Sequence, residues 1–256
     1  MPLSSKTKNK IIKHTEDFFD NTIFKLEVNP DIIEKAYPWH YAFFNVEAAI
    51  AALKERSLVT SIGMKFVPQL AKIVAEDKYK KVFLEKPIQC KLDKGSIKKI
   101  DDICLELRGD IAGKKRTPAH DNEMKEIKKA KTGKKTQIRV ICDLYIDDHK
   151  DGPLFYEIKA PKPNKDQTTE AKKKILLFRQ ISNKHNGFFA LHYNPYITKD
   201  KYSWPFCINI MDIEKQVMLG EEMWNYIGDS KTYPQVLKLI NKTSKKKWKE
   251  FEKVKM

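Results

Sequence analysis

The chain has 256 residues, 41% of them hydrophobic, and carries 50 Lys and Arg against 34 Asp and Glu for a net charge of +16. That length and apolar content suffice for one large α/β domain and exclude wholesale disorder. The basic excess points to nucleic acid or an anionic membrane surface; no uninterrupted apolar segment approaches the roughly 18 residues of a spanning helix, so nucleic acid rather than membrane is the expected partner.

The N-terminal stretch MPLSSKTKNKIIKHTED has lysines but no long apolar core behind them, so no secretory signal is expected. Cys90, Cys104, Cys142 and Cys207 are scattered without a CxxC pair, and the histidines are equally dispersed. Zinc ligation needs tighter spacing. Reduced, structural thiols and a cytoplasmic location follow.

Residues 1–256 read as a single domain whose first part, 1–110, is mainly helical. Ile11, Ile12, Thr15, Phe18, Phe19 and Ile23 recur at helical spacing, predicting one amphipathic helix that ends before Asn29-Pro30. Ala42 to Arg56 reads as an Ala-rich helix with Val46, Ala49, Ile50 and Leu53 on one face. Lys65 to Glu76 follows as another after the Ser61-Ile62-Gly63 turn. Ser96 to Leu107 carries the stripe Ile97, Ile100, Ile103, Cys104 and Leu107, and Gly109 ends it.

Residues 108–135 change character: Lys-rich, with Gly and Pro and few large apolar groups. A flexible basic loop or insertion is expected there. Lys114, Lys115, Arg116, Lys134 and Lys135 are candidates for DNA phosphate contact, because the segment borders the chemistry described next.

The core, 136–212, opens with two apolar runs, Ile138 to Ile146 and Leu154 to Ile158, around the polar turn Asp147 to Pro153. This is a β-hairpin pattern. Alternation of side chains puts Glu157 and Lys159 on one face, with Ile158 turned into the core. A hairpin can bring Asp143 beside Glu157, and apolar neighbours such as Val140, Ile141, Cys142 and Leu144 make an idle charge at Asp143 expensive. Phosphodiester hydrolysis builds negative charge, which a hard cation such as Mg²⁺ offsets while held by one or two carboxylates. Asp143, Glu157 and the Ile158 carbonyl are the candidate ligands, with Mn²⁺ able to substitute. Lys159 is the candidate to assist the attacking water or hold the phosphate.

After the stiff turn Pro161-Lys162-Pro163-Asn164, Asp166 is expected to cap a helix from Thr168 to Ser182. Its packed face is Ala171, Ile175, Leu176, Phe178 and Ile181; Lys172, Lys173, Lys174 and Arg179 fall mainly on the others. Gly187 to Tyr193 reads as a buried strand, parallel through a helical crossover, and Phe206 to Met211 as another. Residues 213–256 read as helical, with Met223, Trp224, Tyr226 and Ile227 in the core. The basic tail SKKKWKEFEKVKM either grips DNA or packs on the body.

The stretch DLYI…FYEIKAPKPNKDQTTEAKKKILLF resembles the PD-(D/E)xK nuclease superfamily, and within it the TdeIII-type group of type II restriction endonucleases. FNVEAAIAALKERSLVTSIGMKFVPQLAKI, GFFALHYNPY and GEEMWNYIGD also look like that group, so the resemblance runs from about Phe43 to Asp229. Cys142 stands where the superfamily's namesake has Pro. The resemblance implies a restriction-endonuclease-like α/β fold, a mixed sheet with a β-hairpin flanked by helices, and Mg²⁺-dependent cutting of double-stranded DNA.

It further implies a homodimer, a cognate DNA methyltransferase in the same system, and a short palindromic target of GGNCC type. It gives Glu47 a place at the metal or its waters, against a plain surface ion pair. Lys165 and Gln167 would lie near the bound phosphate. Base-edge readers cannot be singled out from many candidates; Arg116, Asn194, Lys199 and Lys201 lie on loops that would face DNA. A structure-selective repair nuclease and a non-catalytic DNA-binding module remain the alternatives.

Overall fold

Ser4 opens the first helix, its hydroxyl accepting the amide of Thr7, and α1 (Ser5–Asn21) buries Ile11, Thr15, Phe18 and Phe19. The computed structural model describes residues 2–110 and 116–255. Two short helices follow, α2 (Ile33–Ala36) and α3 (Pro38–Phe43), and then α4 (Val46–Ser61), capped by the Asn45 side chain on the Ala48 amide. A π-helical turn, Ile62–Phe66, carries α4 straight into α5 (Val67–Ala75) where a turn is expected. Val46–Ala75 is thus one run of 30 residues, with mean hydropathy 1.3 over its most apolar window, of which 39% is buried. By length and composition alone it could cross a membrane; Lys54, Arg56 and Lys65 interrupt its apolar text.

The sheet begins with a strand the periodicity does not announce. β1 (Val82–Asp93) contains Glu85, Lys86, Pro87, Gln89 and Lys91, and half of it faces outward. It is an edge strand, the one place where Pro and exposed lysines suit a sheet. Asp93 ends it and caps α6 (Lys94–Arg108), accepting the amides of Gly95 and Ser96 and, from the next loop, those of Thr132 and Gly133. These amides, Thr132 first, hold the Asp93 carboxyl below its ordinary range. Gly109, at φ 76°, closes α6 in the left-handed conformation.

The expected basic loop contains a helix, α7 (His120–Lys129). Met124 and Ile127 pack on the core and Glu123 is fully buried against a lysine of the next helix, which holds the segment in place despite its polar composition. Then come β2 (Lys135–Ile146), β3 (Leu154–Lys159), α8 (Lys165–Arg179) and β4 (Asn186–Leu191). The hairpin and the parallel crossover are as expected. Asn164, not Asp166, caps α8, in a reciprocal box with Gln167.

Residues expected as a strand at Phe206–Met211 form instead α9 (Pro205–Ile208), begun by Pro at its first position. The last strand is β5 (Val217–Leu219), between α10 (Ile213–Gln216) and α11 (Glu221–Ile227). Strand order is β1-β2-β3-β4-β5, antiparallel for the first two pairings and parallel for the last two. This mixed sheet with flanking helices is the expected α/β architecture. Cys104, Cys142 and Cys207 are buried, Cys90 half-buried, and all are free thiols.

The chain divides into two compact units, Met1–Leu3 with Ala71–Pro234, and Ser4–Leu70 with Gln235–Met256. The first holds the whole sheet. The second gathers α1 to α4 and most of α12 (Thr232–Lys255). The basic tail packs rather than hanging free: Phe251 stacks on Phe24 at 4.3 Å between ring centres, and Trp248 meets Phe19 and Phe24 edge-on.

Candidate active site

The sheet opens at one level. β2 and β3 pair at Ile146↔Leu154, Tyr145↔Phe155 and Leu144↔Tyr156, and the ladder stops there. β3 continues to Lys159 on β4 alone. On the other side of β2, the β1 register runs through Leu84↔Leu144 and Lys86↔Cys142, so Glu85 falls opposite Asp143. Glu85 sits at φ 49°, a left-handed backbone that costs a non-glycine residue energy and turns the strand. Asp143 thus lacks a ladder partner on either side: β3 has left β2, and the β1 register skips the Glu85 position before resuming at Lys86↔Cys142.

Its side chain fills that gap. Oδ2 of Asp143 accepts the Ile158 amide at 2.7 Å, replacing the backbone acceptor that β3 lost on leaving β2, and also accepts Lys159 Nζ at 2.9 Å. Lys159 Nζ donates as well to Glu157 Oε1 at 3.0 Å. The two carboxylates and the amine named from the sequence are therefore one cluster. Ile158 points inward and is buried, as alternation requires. Val140, Cys142 and Leu144 are buried too, but Ile141 is half open to solvent and shares the outer face with the site.

A fourth member escaped the sequence reading. Lys174 of α8 donates to Glu157 Oε1 and Oε2, both at 3.0 Å. Lys172, also expected on an outward face, is completely buried against Glu123 and Gln216. Ala171, Lys174 and Phe178 fall on one stripe of α8 at spacings of three and four, which is the signal that could have found Lys174. A lysine on an apolar stripe needs a buried acid.

The electrostatics follow from the crowding. Burial alone would lower the Lys159 pKa, but the charges of Glu157 and Asp143 outweigh it and raise it, so this ammonium is held protonated. His192, at the end of β4, donates from Nδ1 to the Lys159 carbonyl at 3.1 Å and fixes that end of the strand. Burial keeps the imidazole pKa low, favouring the neutral ring.

The cluster suits a divalent cation. Ammonium groups already lie against Asp143 and Glu157, so a position of cationic preference exists, and the donors are hard carboxylate oxygens. Among the described residues no cluster of three or more His, Cys, Asp or Glu is set to hold a metal. Two side-chain ligands is the number that magnesium sites with phosphate and water commonly use.

The remaining candidates scatter. Lys114 and Lys115 lie outside the described residues. Arg116, a candidate for DNA contact, spends its guanidinium on Glu126 (2.6 Å) and Glu106 (3.0 Å) and is mostly buried. Lys134 and Lys135 are exposed where the chain enters β2. Lys165 pairs loosely with Asp110 at 3.3 Å, Gln167 is used in the helix cap, and Asn194 Oδ1 accepts the Tyr196 amide. Lys199 is tied to Glu222. Glu47 is exposed in the first turn of α4, in the unit without the sheet.

The sequence also matches known proteins. Residues 3–244 match the family model described as type II restriction endonuclease, HinfI. The type II restriction enzyme HgiCII of Herpetosiphon aurantiacus is 29% identical over 224 residues, covering 84% of this chain and 80% of that protein. The type II restriction enzymes HgiBI and HgiEI of the same organism are each 30% identical over 212 residues, 80% of this chain and 76% of theirs. No solved structure matches the chain.

Proposed function

The chain belongs to the type II restriction endonuclease family HinfI, and on that premise we propose that it cleaves double-stranded DNA at a short palindrome, of GGNCC type, with Mg²⁺. The observation that carries this reading is the convergence of Asp143, Glu157 and Lys159 at the opening of the sheet. Asp143 and Glu157, with the Ile158 carbonyl, hold the cation, and Mn²⁺ substitutes for it. When bound, the metal supplies charge neutralisation at the scissile phosphate and acidifies water. Lys159 presents its ammonium to the phosphate or the attacking water, and His192 keeps its strand end in place. The family resemblance also gives Glu47 a part in cleavage.

Phosphate contacts fall to Lys134, Lys135 and Lys165 and, from the sequence alone, to Lys114 and Lys115, and Asn194 offers its Nδ2 donor. Arg116 and Gln167 are engaged within the protein and serve as supports. A palindromic target calls for two sites related by two-fold symmetry, hence a homodimer. The enzyme works in the cytoplasm, alongside a methyltransferase that protects the same sequence.

Incubating the protein with plasmid and Mg²⁺ tests the reading. Discrete fragments support it. Nicking confined to branched substrates replaces it with repair, and retention without cutting leaves only binding.

A further inference from the structure

Glu157 is buried with its side chain 5% exposed, yet it meets two ammonium groups, Lys159 from its own strand and Lys174 from α8. With Asp143 the cluster holds two negative and two positive charges. A divalent cation added among all four would leave a surplus of positive charge in a largely desolvated place, so one ammonium must withdraw.

The contacts identify which. Lys159 bridges both carboxylates, at 2.9 and 3.0 Å, from a short strand fixed on β4. Among the described residues Lys174 is hydrogen-bonded to Glu157 alone, at 3.0 Å to each oxygen, from a helix. Its bidentate grip covers both oxygens that a cation would need. Withdrawing Lys174 loses one partner; withdrawing Lys159 loses two.

We propose that Lys174 is a positioning residue that occupies Glu157 in the metal-free protein and competes directly with the divalent cation for that carboxylate. The inference rests on the metal reading above. Lys174 holds Glu157 in its working orientation before metal arrives and sets the cation concentration at which the site loads. Once displaced, its ammonium remains beside the site as a free positive group for a DNA phosphate oxygen.

The test is Mn²⁺ binding to the purified full-length protein without DNA, followed by electron paramagnetic resonance of free Mn²⁺. Lys174→Met should bind Mn²⁺ about tenfold more tightly than wild type, the scale of one charge-assisted hydrogen bond lost as a competitor. Lys174→Arg, which keeps the positive charge and can donate to both Glu157 oxygens, should bind as wild type does. If Lys174→Met does not fold, Lys174→Gln takes its place with the same expectation. Unchanged or weaker binding in the neutral variant, while Glu157→Gln abolishes binding, overturns the inference and leaves the metal reading standing. Wild-type binding by Glu157→Gln overturns both, because the cation would then not use Glu157.

Discussion

Lys172 and Glu123 form an ion pair, Nζ to Oε2 at 2.7 Å, with neither side chain exposed to solvent. Lys172 also donates to Gln216, which in turn meets His120 Nδ1 at 3.1 Å, so α7, α8 and α10 are joined by one buried polar chain. Burial lowers the Lys172 pKa and Glu123 works against that shift. Deleting one partner leaves an uncompensated charge in the interior. Lys172→Met or Glu123→Leu alone should cost about 3–5 kcal/mol of stability, and the double variant much less than the sum. Urea unfolding of the three proteins gives the answer, and additive losses would show that the pair is not coupled.

His120 sits in the same chain, and burial first, then the positive charges of Arg179 and Lys172, push its pKa down from the ordinary 6.5 to about 4. The folded state therefore favours the neutral ring. Between these values the unfolded chain binds the proton and the folded one does not, so stability is intact above the unfolded pKa and falls as pH drops toward the folded one. The loss should reach about 3 kcal/mol below that window. Unfolding measured at neutral and acid pH for wild type and His120→Gln should show a shallower acid limb in the variant. Parallel profiles would assign the acid loss to other groups.

Lys159→Ala should leave divalent-cation binding in place while slowing single-turnover cleavage by about 10²–10³-fold, the scale for losing one positioned charged donor. Asp143→Ala and Glu157→Ala should lose both metal and cleavage and still retain DNA in a gel-shift assay. A Lys159→Ala enzyme with wild-type turnover contradicts the role given to the amine.

Glu47→Gln should lower cleavage far more than DNA affinity, because a carboxylate that serves the chemical step contributes little to docking. Cleavage at the wild-type rate would return Glu47 to the surface of α4.

The hairpin, the parallel crossover and the Asp143–Glu157–Lys159 cluster were legible in the sequence because each rests on local rules: alternation, a polar turn, and charge placed among apolar neighbours. β1 was not, since an edge strand with Pro87 and outward lysines lacks the apolar run that marks a central one. α7 was hidden for a related reason. Its order comes from Glu123 finding Lys172 some fifty residues away, a contact no local pattern contains. The sequence places Lys172, Lys173 and Lys174 mainly off the packed face of their helix. On a helix they point in three directions, and two of these enter the protein. β5 is too short to show any period, and Phe206–Met211 has the composition of a strand but begins with Pro205.

Because one oxygen of Asp143 completes the split ladder as well as facing Lys159, architecture and the proposed chemistry share a single atom. Truncating that side chain strikes both at once, so an inactive alanine variant says little by itself about catalysis. The isosteric amide, Asp143→Asn, separates the two debts: its carbonyl still satisfies the stranded Ile158 amide, while the negative charge is gone.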